Sequence, residues 1–258
     1  MSEVAVGTVF TAGLFIGMLL LLEVGRRTRR RHQAQYGEAV GAGLGAVETA
    51  VFGLMGLLVA FTFSGAASRF EGRRQLIVDE ANAIGTAYLR LDLLAPEPRT
   101  TLQQRFREYV DARLAIYRAV PNSLEVSAAV ARAAVLQQGI WDGAVAAVRS
   151  APNPQLAGQL LPAVNEMTDI SSSRLAATRM HPPRIIFGLL GAVSLVCALL
   201  AGYAMPESAP RSWLHMVGFA AVLAITIYVI IDLEYPRLGL FQVADFDQLL
   251  VNLRAGMR

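Results

Sequence analysis

One series of side chains in this sequence is spaced for chemistry with water and ions. Ser64, Ser68, Glu71, Gln75, Asp79, Asn82, Thr86 and Arg90 follow one another at steps of 4, 3, 4, 4, 3, 4 and 4 residues. That spacing puts all of them on one face of an α-helix. Hydroxyls, amides and carboxylates in a row can replace part of an ion's hydration shell, so the series fits the lining of a water-filled passage. A solvated outer face would read the same. The start of the series favours a lining. Ser64 and Ser68 close an apolar run, Thr49 to Ser68, and polar groups at membrane depth turn toward protein or water. Arg69, Arg73 and Arg74 stand where the helix leaves that run. They suit anionic lipid headgroups or, repeated around an axis, a pore mouth that gathers anions. Gly56, Ala60, Ser64 and Ser68 recur every fourth residue, a pattern of small side chains that lets helix backbones approach closely, within one chain or between copies.

Other chemistries find no support. There is no nucleophile elbow, phosphate-binding loop or dinucleotide fingerprint. His32, His181 and His215 have no partners at metal-ligand spacing, so neither a metal nor a cofactor is expected. Asp79 and Glu80 are neighbours and point to different sides of a helix, a poor acid–base pair. The single cysteine, Cys197, lies in an apolar run, where a thiol is inert. No enzyme is expected. The net charge of +3 comes without a basic stripe carrying interleaved aromatics, which excludes nucleic acid as a partner.

The elements that must hold this face follow from hydropathy. Of 258 residues 54% are hydrophobic and 17% charged, an apolar excess over ordinary soluble domains. It collects in four blocks: Val4–Leu22, Thr49–Ser68, Ile185–Met205 and Trp213–Ile231. Each is long enough to cross a hydrocarbon core of about 30 Å. The first is read as a retained anchor, because its charges, "RRTRRRH", follow the apolar run and no small-residue cleavage site comes after it.

Between the second and third blocks lies a long helical insertion. Ile77, Ala81, Ile84, Tyr88 and Leu91 step by 4, 3, 4 and 3, the spacing of a coiled-coil seam, so the second span is expected to continue as a packed stalk. "LAPEPR" ends it. A helix from Thr100 to Val120 carries an apolar face of Leu102, Phe106, Tyr109, Val110, Leu114 and Tyr117. Asn122 and Glu125 form a capping-box pattern for the next helix, which runs to Arg149. A fourth starts at Pro154 and holds Pro162, an expected kink. "HPPR" leads into the third span. The fold class is all-α, a polytopic membrane protein with a helical bundle inserted between its second and third membrane helices. Its parts are 1–68 (two membrane helices), 69–184 (stalk and bundle), 185–232 (two further membrane helices) and 233–258 (tail).

Glu23 closes the first span and Glu48 opens the second; both are placed for solvation at the interface, with pairing to the neighbouring arginine cluster as the alternative. Asp232, Glu234 and Arg237, in "DLEYPRLGLF", are placed for interfacial ion pairs, with Pro236 and Gly239 making a turn that packs on the stalk base. A segment between the first two spans, Gly25 to Ala46, is read as a loop. It holds Arg26, Arg27, Arg29, Arg30 and Arg31, on the same side as Arg211. By the charge rule for short loops this side is cytoplasmic and the insertion is outside. Arg69, Arg73, Arg74, Arg174, Arg179 and Arg184 weigh equally against that.

Two stretches, "LLVAFTFSGAASRFEGRRQLIVDEANAIGTAYLRLDLL" and "IDLEYPRLGLF", resemble the hallmark segments of bacterial bestrophin-like membrane proteins. The resemblance runs from the second span to the tail. It implies a multi-pass protein of the bacterial inner membrane with a distant relation to bestrophins, which are pentameric, anion-selective channels whose second helix lines the pore. It would place a pore along Thr49 to Arg90, in a homo-oligomeric ring, a pentamer or another, with the lipid bilayer and inorganic ions as partners. It also implies a cytosolic bundle and cytosolic termini, opposite to the arginine loop. Bestrophins carry an apolar and aromatic neck on this helix. Of Phe52, Phe61, Phe63 and Phe70 only Phe63 and Phe70 share a face, so no neck residues are assigned here. Two functions follow as expectations. One is an oligomeric ion channel, anion-conducting, lined by the second helix. The other is a non-conducting scaffold or sensor that binds a partner through its bundle.

Overall fold

The structure, a computed structural model, describes residues 3–36, 44–120, 122–205, 212–241 and 243–257, and these are helices and turns with no strand among them. Arg211 lies outside the described residues. The helices are α1 (Glu3–Tyr36), α2 (Leu44–Arg90), α3 (Pro96–Arg118), α4 (Ser123–Ser150), α5 (Gln155–Ala177), α6 (Arg184–Ala204), α7 (Trp213–Glu234) and α8 (Gln248–Gly256). Four of them, α1, α2, α6 and α7, are long and apolar enough to span a membrane. The chain forms two compact units, one of residues 1–70 with 181–241 and one of residues 71–180 with 242–258.

In the first unit Met18 and Leu22 of α1, Leu190, Cys197 and Ala198 of α6, and Ala220 and Ile227 of α7 form the core. Polar side chains buried here turn back on their own helices. The Thr11 hydroxyl donates to Gly7 O at 2.9 Å and that of Ser194 to Leu190 O at 2.7 Å, which satisfies groups that lipid cannot. The segment read as a loop from Gly25 is helical as far as Tyr36. Arginine is a good helix former, "RRTRRRH" contains no breaker, and Glu23 pairs with Arg26 at 3.2 Å and Arg27 at 2.8 Å one turn on. Gly25 serves a different purpose from a turn. A Cβ there would strike Leu199 O and Tyr203 N, and a Cβ on Gly202 would strike the Leu22 backbone, so α1 and α6 cross in backbone contact. Gly202→Val is therefore expected to cost about 1–3 kcal/mol, the usual cost of overpacking, read as a lowered melting temperature in detergent.

The second unit is built on the outer half of α2. Its seam, with Ile77, Ile84 and Leu91 buried and Ala81 and Tyr88 half-buried, is packed by helices of the same chain. The apolar spacing that suggested a coiled coil thus marks an intrachain core, joined by Leu102, Phe106, Tyr109, Ile140, Leu160, Met167 and Leu250. A 3-10 turn, Leu91–Leu93, ends α2. Helix α3 begins at Pro96, earlier than the expected Thr100, because the first turn needs no proline N–H. Asn122 caps α4 as expected. Its Oδ1 accepts from the Leu124 and Glu125 amides at 3.2 and 3.4 Å, while its Nδ2 donates to Glu125 Oε1 at 2.7 Å. Asn122→Ala should cost about 1 kcal/mol in a denaturant melt. Pro154 is the N-cap of α5 rather than its first residue, and the helix continues through Pro162 to Ala177.

Candidate functional site

Helix α2 is the least enclosed of the four spanning candidates. Only 11% of its most apolar stretch is buried within the chain, against 28% for α1 and 33% for each of α6 and α7. Two of its large side chains pack inward. Met55 is buried against α6, and Phe52 meets Phe219 of α7 edge-on with ring centroids 6.3 Å apart. Its small side chains point out. Gly56 and Ala60 are exposed, and a Cβ on Gly56 would meet nothing within 4 Å. The small-residue stripe therefore does not pack against another described helix of this chain. Among the spanning helices, the glycines whose Cβ would strike a neighbouring helix are on α1 and α6.

Ser64 and Ser68 of the polar series follow Gly56 and Ala60 on this side of the first unit. Ser64 and Ser68 are exposed in the first unit; Glu71, Gln75, Asn82 and Thr86 are exposed in the second, with Asp79 half-buried. Gln75 Nε2 donates to Asp79 Oδ1 at 2.9 Å, one turn along the stripe. At lower numbers the face carries apolar groups, Leu57 at 53% and Phe61 at 70% exposure, seven and three residues before Ser64. Phe52 and Phe70 are half-buried against the chain's own helices, which leaves Phe61 and Phe63 as the exposed aromatics of the run.

The three arginines that follow are committed inside the subunit. Arg69 donates from Nε at 2.8 Å, and again from Nη2, to Oε1 of Glu234, whose side chain is buried. Arg73 is buried and donates to Ala177 O at 3.2 Å and Met180 O at 2.8 Å, carbonyls at and just past the end of α5. Arg74 pairs with Glu71 at 2.7 Å and lies over the Phe246 ring at 4.3 Å. Their spacing suited a pore mouth or lipid headgroups; their partners here are protein groups.

The tail motif closes on the same region of the first unit. Leu233 and Ile230 pack with Ala66 and Phe70 at the stalk base. The Asp232 carboxylate accepts the Leu240 and Phe241 amides, both at 2.9 Å, and so ties the turn after α7. Gly239 passes against that carboxylate where a Cβ would collide with it. His181 stacks on Tyr235 at 4.8 Å, with its Nδ1 3.8 Å from Glu234 Oε2.

Behind the polar stripe, on the opposite face of α2, sits a charge cluster that reading of the sequence missed. Glu80 is fully buried and takes Arg113 of α3 at 2.5 Å and Arg174 of α5. Arg174 also pairs with Asp247 at 2.5 Å. Ser171 Oγ donates to Glu80 Oε1 at 3.0 Å, which spends its one proton, so the Tyr109 hydroxyl donates to Ser171 Oγ at 2.7 Å. Burial pushes the Tyr109 phenol above its ordinary pKa and keeps it a donor. Burial opposes the charge of Arg113, but the Glu80 carboxylate outweighs it together with Tyr117 and Tyr109, and the guanidinium is held above its ordinary value. The Tyr117 ring stacks under Arg174 at 3.7 Å. The cluster joins α2, α3, α5 and the turn before α8. Two carboxylates balance two guanidiniums, so it is a structural lock and not a reactive centre. Among the described residues no cluster of His, Cys, Asp or Glu is arranged to hold a metal.

An all-α membrane protein with a helical bundle inserted between its second and third spanning helices is the class this architecture defines. The chain belongs to the Bestrophin-like domain family, which matches residues 12–245. No curated protein matches it. Two crystal structures of a bacterial bestrophin homologue from Klebsiella pneumoniae, each of a single-substitution variant, share the fold. One is 12% identical with a TM-score of 0.67, over 95% of this chain and 97% of the other. The second is 14% identical with a TM-score of 0.60, over 95% of this chain and 98% of the other.

Proposed function

We propose that copies of this chain form a closed ring around α2 and conduct inorganic ions through it, anions in preference. The observation that carries the reading is the two-sidedness of α2. In each unit one face of α2 is covered by the chain's own helices, while the other exposes polar groups, Ser64 and Ser68 in the first unit and Glu71, Gln75, Asn82 and Thr86 in the second. Hydroxyls at membrane depth are stabilised by water or protein, and a shared axial conduit supplies both. Gly56 and Ala60 supply a face where α2 can approach its copies closely. Leu57 and Phe61 form the apolar stretch of the conduit, where water is least stable and conduction most easily interrupted. Anion preference rests on the relation to bestrophins, since Arg69 and Arg74 pair with carboxylates, Arg73 is buried against backbone carbonyls, and Glu71 and Asp79 stand on the stripe.

The protein is placed in the bacterial inner membrane, with its bilayer as solvent. The test is purified protein in liposomes loaded with chloride, with the oligomer counted by native mass spectrometry. Selective chloride release from a ring of several subunits supports the reading. A monomer or dimer, or a ring that leaks nothing, refutes it.

A further inference from the structure

The bundle unit contains a cavity of about 910 Å³ at the end where α2 gives way to α3 and α4 to α5. Its floor is core: Leu94, Leu102, Ala147 and Leu156 are all buried. Arg105 of α3 lines it, half-buried. One guanidinium nitrogen of Arg105 donates to Gly139 O of α4. Gly139 and Gly143 make the room, because Cβ atoms there would lie 3.4 and 3.5 Å from Arg105 Nη1, and that on Gly143 only 2.8 Å from Leu102.

The charge of Arg105 at the cavity wall is not met by a carboxylate among the described residues. Arg69, Arg113, Arg174 and Arg254 each meet a carboxylate. Arg105 meets a carbonyl and no acidic side chain among the described residues; Glu97, the one acid of the lining, forms no ion pair with it. A guanidinium carries five donors in a planar fork that matches a carboxylate, and one backbone carbonyl leaves most of them unused. A cation at the wall of an apolar cavity selects a ligand with an anionic head and an apolar body. The volume lies within the range of small-molecule sites, about 300–1,000 Å³.

We propose that this cavity binds a small amphipathic organic carboxylate, its head on Arg105 and its apolar body over Leu94, Leu102 and Leu156. The site goes beyond the conduction reading and stands whether or not the protein conducts. The test is calorimetric titration of the full chain in lipid nanodiscs with indole-3-acetate, and with tryptamine as a cationic probe of the same ring, each corrected against empty discs. Saturable binding of indole-3-acetate, at least tenfold tighter than tryptamine, is expected. Arg105→Gln should weaken it at least tenfold, and Ala146→Trp, which fills the cavity from an exposed position of its lining, should abolish it at an unchanged melting temperature. Should Arg105→Gln fail to fold, Ala146→Trp decides alone. Absence of saturable binding overturns the proposal, as does equal affinity for the two probes or binding that survives Ala146→Trp.

Discussion

Replacing Glu80 by glutamine should cost the bundle about 3–5 kcal/mol, the range found when one partner of a buried ion pair is removed. The amide keeps the shape of the carboxylate and can still accept from Ser171. It cannot neutralise Arg113 and Arg174, and the carboxylate left in the cluster is Asp247, the partner of Arg174. Small domains are stable by about 5–15 kcal/mol, so this is a large fraction of the whole. The urea midpoint of the bundle's helical signal is the measurement. Glu71→Gln is the matched control. Glu71 also pairs with an arginine, Arg74, but its side chain is 63% exposed. Water screens that pair, and the expected loss is about 0–1 kcal/mol. Glu80→Leu combined with Arg113→Met should recover part of the loss, because an apolar pair of similar volume avoids burying an unpaired charge. A loss below about 1 kcal/mol for Glu80→Gln would mean that the cluster is wet and does not lock the bundle.

That cluster also shows what the sequence makes legible. Spans, breaks and the Asn122 cap depend on local spacing and composition; the breaks in the bundle and the cap fall within a few residues of expectation, while α1 runs on to Tyr36 through the expected loop. The charges of the cluster were readable in principle. Glu80 lies three residues after Ile77 and four before Ile84, inside the apolar seam. Arg113 lies four residues from Tyr109 and four from Tyr117, inside the apolar face of α3. A charge on such a stripe must be paired or lose its charge. The partners, 33 and 94 residues from Glu80, are set by tertiary packing that no local pattern encodes. The same gap explains the even arginine tally across the membrane. Arg73 and Arg174 were counted as flanking surface charges, yet both are buried in the bundle. Long-range partners decide which arginines are free to follow the membrane charge rule. The seam was misassigned for a related reason: periodicity marks the buried side of a helix but not the chain that covers it. The smaller glycine pair, Gly25 and Gly202, gave no stripe at all, since each helix contributes one residue to the crossing.

The exposed face of α2 gives the second large effect, a fall of about tenfold or more in flux for Ser64→Phe. Ser64 stands next to Phe61 along the face, where the lining changes from apolar to hydroxylated. A phenyl ring there lengthens the stretch that water must cross without a partner. Tenfold corresponds to only ~1.4 kcal/mol of added barrier, less than full burial of one large apolar side chain is worth. Phe61→Ser should act in the opposite sense and raise flux. Gln75→Leu and Asn82→Leu alter longer polar groups of the proposed lining, away from its apolar stretch, so each should reduce flux by less. Val222→Phe is the control. Val222 is 65% exposed on α7, a lipid-facing position in a ring built on α2, and its enlargement should leave conduction unchanged. Each variant is counted by native mass spectrometry before its flux is read, so that loss of assembly is not scored as loss of conduction. Ser64→Phe and Gln75→Leu rings that form normally and conduct like the parent would show that this face of α2 looks onto bulk solvent and lipid, and conduction would then have to be sought elsewhere in the protein or abandoned.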